Sequence, residues 1–409
     1  MNPLLPVLLL ALLPAPHPGE GALFLRDVHV VDVRAGRILR DQSLVIEGAR
    51  ITALGPRDST PPPAGAALVE GHGRYLVPGL CDMHIHLDEE HATDSLFLMV
   101  ANGVTTAQCM GGSPWHLTLR ERLARGELLG PRLFTCGPTT AALRVHEVAD
   151  AERVVREQKA AGYDAVKMYG DGSNTMPLET YKKLVATGHE LGMRIVGHAP
   201  RNLPFDVVLE ARQDSIDHME ELVYTERSFD KVTGPWVAIQ FGRERLEDHP
   251  ELAGEVPDFR PPLAEAVAAL AQRVRAAKLG LTATLTTFAA IQASTDDGIH
   301  ALLAKDELRY ASPVARENWT PERARFRNSG WTPHLATMAA YLKRHLELQS
   351  EMLRVFQAAG VPVMTGTDAP FDYVVPGFAV HDELARFVAA GLTPLEALRA
   401  ATLTPAESS

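Results

Sequence analysis

Residues 81–90 read CDMHIHLDEE, with two histidines, His84 and His86, one residue apart inside an apolar run of β-strand character. Successive side chains of a strand point to opposite faces. Cys81, Met83, Ile85 and Leu87 therefore share one side, and Asp82, His84, His86 and Asp88 share the other. The first side is a packing surface. The second brings two imidazoles toward one point. The solvated face of an edge strand accounts for such a pair equally well, so the rest of the chain has to decide.

The chain has 409 residues, enough for a large core and more than one domain. With 46% hydrophobic and 22% charged residues, its composition excludes a disordered chain. A formal charge of −11 speaks against a nucleic-acid partner. No internal apolar run is long enough for a membrane span. The run PLLPVLLLALLPAP at residues 3–16 fits the apolar segment of a secretory signal peptide, although no Lys or Arg precedes it. Residues 1–20 are therefore expected to be a leader, cleaved near Ala15 to Ala22, with the remaining chain exported. Cys81, Cys109 and Cys136 make an odd count in apolar contexts and read as buried thiols, not a disulfide framework.

Residues 21–72 read as short strands punctuated by Gly36, Gly48 and Gly55, a small β domain. From residue 73 onward the pattern changes. Eight short apolar strands alternate with helical stretches: YLVPGLCDMHIHL, GVTTAQCM, RLFTCG, DAVKMYG, MRIVGHAP, DSIDHMEEL, GLTATLT and VPVMTGTDA. Between them lie helices such as 150–161 and 178–191. Eight such repeats predict an α/β fold, a (β/α)8 TIM-type barrel over residues 73–409. Residues 225–280 and 288–360 are long, charged, helix-prone connections expected to cover one end of it. Near the C-terminus, TPLEALRAAT begins with Thr393, Pro394 and Glu396, a capping box with proline at the first helical position. TPAESS repeats the signature with Thr404, Pro405 and Glu407, and two residues later the sequence stops, as if truncated.

Ionisable residues sit near the C-terminal ends of these strands: His84 and His86, Lys167, His198, His218 and Asp368. Each alone has an ordinary explanation. A lone histidine is commonly a hydrogen-bonded core residue, Asp368 suits a turn or helix cap, and Lys167 could extend to solvent. In a barrel, however, all eight strand ends converge on one mouth. Six such groups together are costly to bury without a partner. Two divalent metal ions supply one, and the donors suit Zn²⁺, with Mn²⁺ or Co²⁺ as alternatives.

The motifs DMHIH, AVKMY, GHA, DHMEE and GTDA, in this order and on these strands, resemble those of the amidohydrolase superfamily from about residue 22 onward. VPGLCDMHIH, GVTT and PGFAVHDELARFVAAGLTPLEALRAAT look most like its imidazolonepropionase-like and Xaa-Pro dipeptidase (prolidase)-like branch. The resemblance implies that His84, His86 and Asp368 bind one metal and His198 and His218 the other. Lys167, carboxylated by CO₂ to a carbamate, would bridge both. It implies a hydroxide bridging the metals as nucleophile, with Asp368 accepting its proton and passing it to the leaving nitrogen. The substrate would be a small molecule: a dipeptide, an N-acyl amino acid or a cyclic amide. The resemblance also implies a sandwich-like small domain whose C-terminal half is missing here. Tyr224, His381 and Glu220 are candidate substrate contacts, with packing or a solvated helix face as equally good readings. A one-metal imidazolone-type hydrolase or deaminase, a lactone or phosphoester hydrolase, and a non-catalytic barrel are the competing expectations. Homo-oligomer formation is compatible with all of them.

Overall fold

The computed structural model describes residues 21–141, 145–169, 175–252, 254–328 and 334–408. The expected leader lies outside the described residues. The chain divides into two compact units, Met1–Leu80 and Cys81–Ser409.

The first unit is built on four strands, β1 (Ala22–Asp32), β2 (Arg37–Glu47), β3 (Arg50–Pro56) and β4 (Ala67–Leu76), in the order β3-β2-β1-β4. β1 pairs antiparallel with β2 and parallel with β4, and β2 pairs antiparallel with β3. Gly36 and Gly48 sit in the left-handed region at the two hairpin turns (φ 69° and 58°), where a side chain would be strained. Leu25 lies opposite Leu44 in the β1–β2 ladder, and both, with Val28, form the small apolar centre of this sheet.

Eight further strands follow among the described residues, all in the second unit except the first residue of β5: β5 (Leu80–Ile85), β6 (Val104–Cys109), β7 (Arg132–Thr135), β8 (Ala165–Met168), β9 (Arg194–Gly197), β10 (Ser215–Asp217), β11 (Gly280–Thr282) and β12 (Val363–Met364). Residues 75–87 do not form one strand. Val77, Pro78 and Gly79 separate β4 from β5, and Pro78 has no N–H to offer a ladder. β6–β7, β8–β9, β10–β11 and β11–β12 pair in parallel. Further backbone hydrogen bonds join the pairs. Met110 N donates to Ile85 O (2.8 Å), Gly137 N to Ala165 O (3.0 Å), and Asp214 N to Ile195 O (3.0 Å). Met83 N donates to Thr365 O (3.0 Å) and Asp368 N to His84 O (2.7 Å), so the last strand is tied back to the first.

All six residues of β5 are buried. This excludes the solvated edge strand, and it is what a sheet covered on both faces requires. The covering helices are amphipathic. Val148–Ala161 buries Ala151, Val154, Val155 and Gln158, an i, i+3, i+4, i+7 stripe, and ends at Gly162 with φ 89°. Leu335–Ala359 buries Leu348, Met352, Leu353 and Phe356 in the main core. The stretch GLTATLT is strand only as far as Thr282. Thr284 turns left-handed (φ 52°), and helix Leu285–Thr295 begins directly after it. At the C-terminus the Thr393–Glu396 capping box forms, starting helix Pro394–Ala400, and Leu403–Ser408 is helical.

Candidate metal centre

The ends of β5, β8, β9, β10 and β12 bring their polar side chains together. His84, at 0% exposure, is the hub. Its ring centroid lies 4.5 Å from that of His218 and 5.3 Å from that of His86, and His218 lies 4.7 Å from His198. Asp368 Oδ1 is 3.3 Å from His84 Nε2 and 3.0 Å from His86 Nε2. One ligand atom each of His84, His218 and Asp368 lie within 4.8 Å of one another. His86 is the most open member, its side chain 47% exposed.

Backbone geometry aims these groups. His218 and Asp368 both adopt left-handed conformations (φ 71° and 58°), uncommon for residues with a side chain and frequent at functional sites. Asp82 sets the turn before Asp368. Fully buried, it accepts hydrogen bonds from Thr367 N (3.0 Å) and Thr367 Oγ1 (2.7 Å). Gly366 permits the close approach, because a Cβ there would lie 2.3 Å from Thr282 Cγ2 and 2.8 Å from His84 Cβ.

Each histidine of the second pair has an outer partner. His198 Nδ1 donates to Glu221 Oε1 (3.0 Å). Glu221 is also bound by the Arg201 guanidinium, which sits over the rings of Tyr224 (4.9 Å) and Phe241 (4.6 Å). Burial alone would raise the Glu221 carboxyl, but Arg201 and His198 outweigh it and hold it at about 2. His218 Nδ1 lies 2.8 Å from Thr284 Oγ1. Burial pushes His198 below the ordinary imidazole value and His218 well below it. Neutral rings keep the lone pairs that metal ligation needs.

Lys167 is buried at the same end, and its Nζ lies 3.1 Å from Asp217 Oδ2. The same oxygen is 3.3 Å from His84 Nδ1. Asp217 is fully buried. Burial opposes its ionisation, yet Lys167 and His84 hold it well below the usual carboxylate range.

The residues fit a divalent cation. Both ring nitrogens of His84 are buried and make no hydrogen bond of acceptable geometry, although carboxylate oxygens stand 3.3 Å away on both sides. An imidazole so placed has acidic neighbours but no well-directed hydrogen bond, a gap that a cation between these groups would fill. The neighbouring donors, neutral imidazole and carboxylate, are those that zinc and its borderline relatives favour.

The three candidate substrate contacts fall differently. Tyr224 is buried, its hydroxyl accepting from Gln240 Nε2 (3.0 Å). Glu220 has one buried oxygen without a hydrogen-bond partner, and burial pushes its carboxyl up to about 8. His381 lies on an exposed helix face against the Asn102 carbonyl (2.9 Å). Among the described residues, no hydrogen bond, ion pair or ring contact joins it to the cluster. The structure also brings in Asp217, Glu221, Arg201 and Thr284, which motif spacing alone does not single out, and gives a role to Asp82, which shares the polar face of its strand with His84.

Known proteins resemble this chain in fold and over parts of its sequence. A putative prolidase from Bifidobacterium longum superposes with a TM-score of 0.64 at 22% identity, covering 96% of this chain and 84% of that one. A Xaa-Pro dipeptidase with bound methionine gives 0.63 at 18% identity, covering 95% and 88%. In sequence, an adenine deaminase of Mesorhizobium japonicum is 35% identical over 86 residues, 20% of this chain and 14% of the deaminase. A dihydroorotase of Pelobacter propionicus is 28% identical over 188 residues, 43% of this chain and 42% of the dihydroorotase. Each of these two matches therefore spans less than half of the relative's length. The model of the Amidohydrolase family matches residues 75–409, the stretch that contains all six candidate ligands, and the chain belongs to that family.

Proposed function

We propose that this chain is a metal-dependent hydrolase of an amide-type C–N bond, built on a (β/α)8 TIM-type barrel. One observation carries the reading: His84, His86, His198, His218 and Asp368, from four separate strand ends, converge around a buried imidazole whose two nitrogens lack hydrogen bonds. A divalent metal held there supplies Lewis acidity, making water nucleophilic near neutral pH and polarising a carbonyl.

The chain's own residues supply the rest. Asp368 stands beside His84 and His86, and its carboxylate is held well below the usual range because these contacts outweigh burial. Its position beside His84 and His86 places it to take a proton from water and hand it to a leaving nitrogen. Glu221 orients His198 through Nδ1, leaving Nε2 for ligation. In a two-metal form, His84, His86 and Asp368 would hold one ion and His198 and His218 the other. Lys167, as a carbamate, would add an anionic oxygen ligand, and to react with CO₂ its amine would first leave Asp217. The titles of the structural neighbours, prolidase and Xaa-Pro dipeptidase, support a small peptide or N-acyl amino acid as substrate.

A second reading is favoured by a specific observation. Lys167 already has a carboxylate partner, and His84, His218 and Asp368 alone make a compact set. A single metal there, with a cyclic amide or an aminopurine as substrate, accords with the names of the sequence relatives.

The test is a screen of zinc- or manganese-loaded protein against dipeptides, N-acyl amino acids, cyclic amides and aminopurines, with lactones and phosphoesters as controls. Turnover of a C–N substrate that a chelator abolishes and added metal restores supports the proposal. Turnover confined to lactones or phosphoesters overturns it.

A further inference from the structure

Glu383 is a fully buried carboxylate with no place in the ligand set. It lies on helix Phe378–Ala389, beyond the last strand. Its two oxygens are both used: Oε1 accepts from Leu285 N (3.0 Å) and Oε2 from Thr286 N (2.7 Å). These N–H groups open helix Leu285–Thr295 and have no acceptor within their own helix. Both accept-only contacts suit the ionised carboxylate, although burial pushes Glu383 up to about 7.

The residue immediately before these two amides is Thr284, whose left-handed backbone (φ 52°) is costly for a β-branched residue. Such a conformation persists only where its surroundings fix it. On one side, Glu383 grips the next two N–H groups. On the other, the backbone of β10 is tied to that of β11: His218 N donates to Thr282 O (2.8 Å) and Met219 N to Ala283 O (3.0 Å). Held this way, Thr284 places Oγ1 2.8 Å from His218 Nδ1. When Nδ1–H donates to this oxygen, Nε2 keeps its lone pair for the cluster. The same helix start reaches the third strand end, where Thr287 Oγ1 donates to Thr367 O (2.5 Å), next to Asp368.

We infer that Glu383 is a positioning residue for the centre, acting through the Leu285 and Thr286 amides and the Thr284 hydroxyl to fix the ring orientation and tautomer of His218. Among the described residues, no hydrogen bond or ion pair joins it to a candidate ligand. Its effect on metal affinity rests on the proposed metal-binding function, whereas its effect on the His218 ring does not.

The experiment uses the full chain and three variants, Glu383→Gln, Thr284→Val and the double. Glutamine cannot accept through both ends, because its amide nitrogen would face an N–H. Valine keeps the β-branched shape and the Glu383 contacts but removes the hydroxyl, so it also serves if Glu383→Gln does not fold. Two readouts are taken: Zn²⁺ affinity by chelator competition, and the His218 tautomer in metal-free protein by ¹⁵N–¹H NMR. In the wild type, His218 should be locked with its proton on Nδ1. Each single variant should give a mixture of tautomers and weaken zinc about 10–100-fold, the range for loss of an outer partner of a ligand. The double variant should be no weaker than the worse single. Lower thermal stability with an unchanged tautomer and unchanged zinc affinity would make Glu383 a helix cap only and overturn the inference. If wild-type protein binds no zinc, the proposed function fails, and the tautomer readout alone still decides the role of Glu383.

Discussion

Replacing Asp217 by asparagine removes the charge that Lys167 shares with His84, and a second substitution at Lys167 separates the two contributions. The asparagine side chain keeps the volume and an acceptor oxygen but lacks the charge, and Lys167 is left as a buried ammonium without a counter-ion. At the observed 3.1 Å and an effective dielectric of about 20, the attraction removed is about 5 kcal/mol. Measured losses for breaking one side of a buried pair run at about 3–5 kcal/mol. We therefore expect Asp217→Asn to destabilise the metal-free protein by about 3–5 kcal/mol, and Lys167→Met in the same chain to recover most of that loss. Urea unfolding followed by tryptophan fluorescence is the assay. Residues 1–80 contain no tryptophan, so the signal reports the second unit alone. A loss below about 1 kcal/mol, or no recovery in the double variant, would refute the argument that Lys167 depends on Asp217.

Other outcomes follow from the same geometry. Asp368→Asn should retain metal, since an amide oxygen still coordinates, while kcat falls about 10²–10⁴-fold in steady-state assays through loss of the proton acceptor. His84→Ala combined with His86→Ala should abolish both metal uptake and turnover while circular dichroism stays that of the folded chain. Gly366→Ala should cost about 1–3 kcal/mol in denaturant titration and weaken metal binding, because its methyl group would press on Thr282 and on the Cβ of His84.

The sequence is most legible where chemistry and strand periodicity coincide. His84 lies in β5 and His86 follows directly after its last residue, and His198, His218 and Asp368 each follow a short apolar run, so the strand ends could be aligned without coordinates. Asp217 was hidden by the same rule. In an extended strand, neighbours point to opposite faces, so Asp217 and His218 could not both serve one site. The left-handed backbone of His218 breaks that alternation, and Asp217 faces Lys167 and His84 while His218 also meets His84. Thr284 and Asp368 depart from extended geometry in the same way. No residue type announces a left-handed threonine or histidine, so what depends on these kinks was not readable. Arg201 and Glu221 stayed hidden for a different reason. An Arg–Glu pair along a chain ordinarily lies in solvent, and here only tertiary packing against Tyr224 and Phe241 buries it.

The central claim is that the converging side chains around His84 hold a divalent metal. Anomalous diffraction at the zinc absorption edge, on crystals of the full chain grown with zinc, tests it most directly. A peak is expected within coordination distance of His84, His218 and Asp368, and, were two metals bound, a second beside His198 and Lys167. Zinc peaks only at surface carboxylates, with none among these residues, would contradict it.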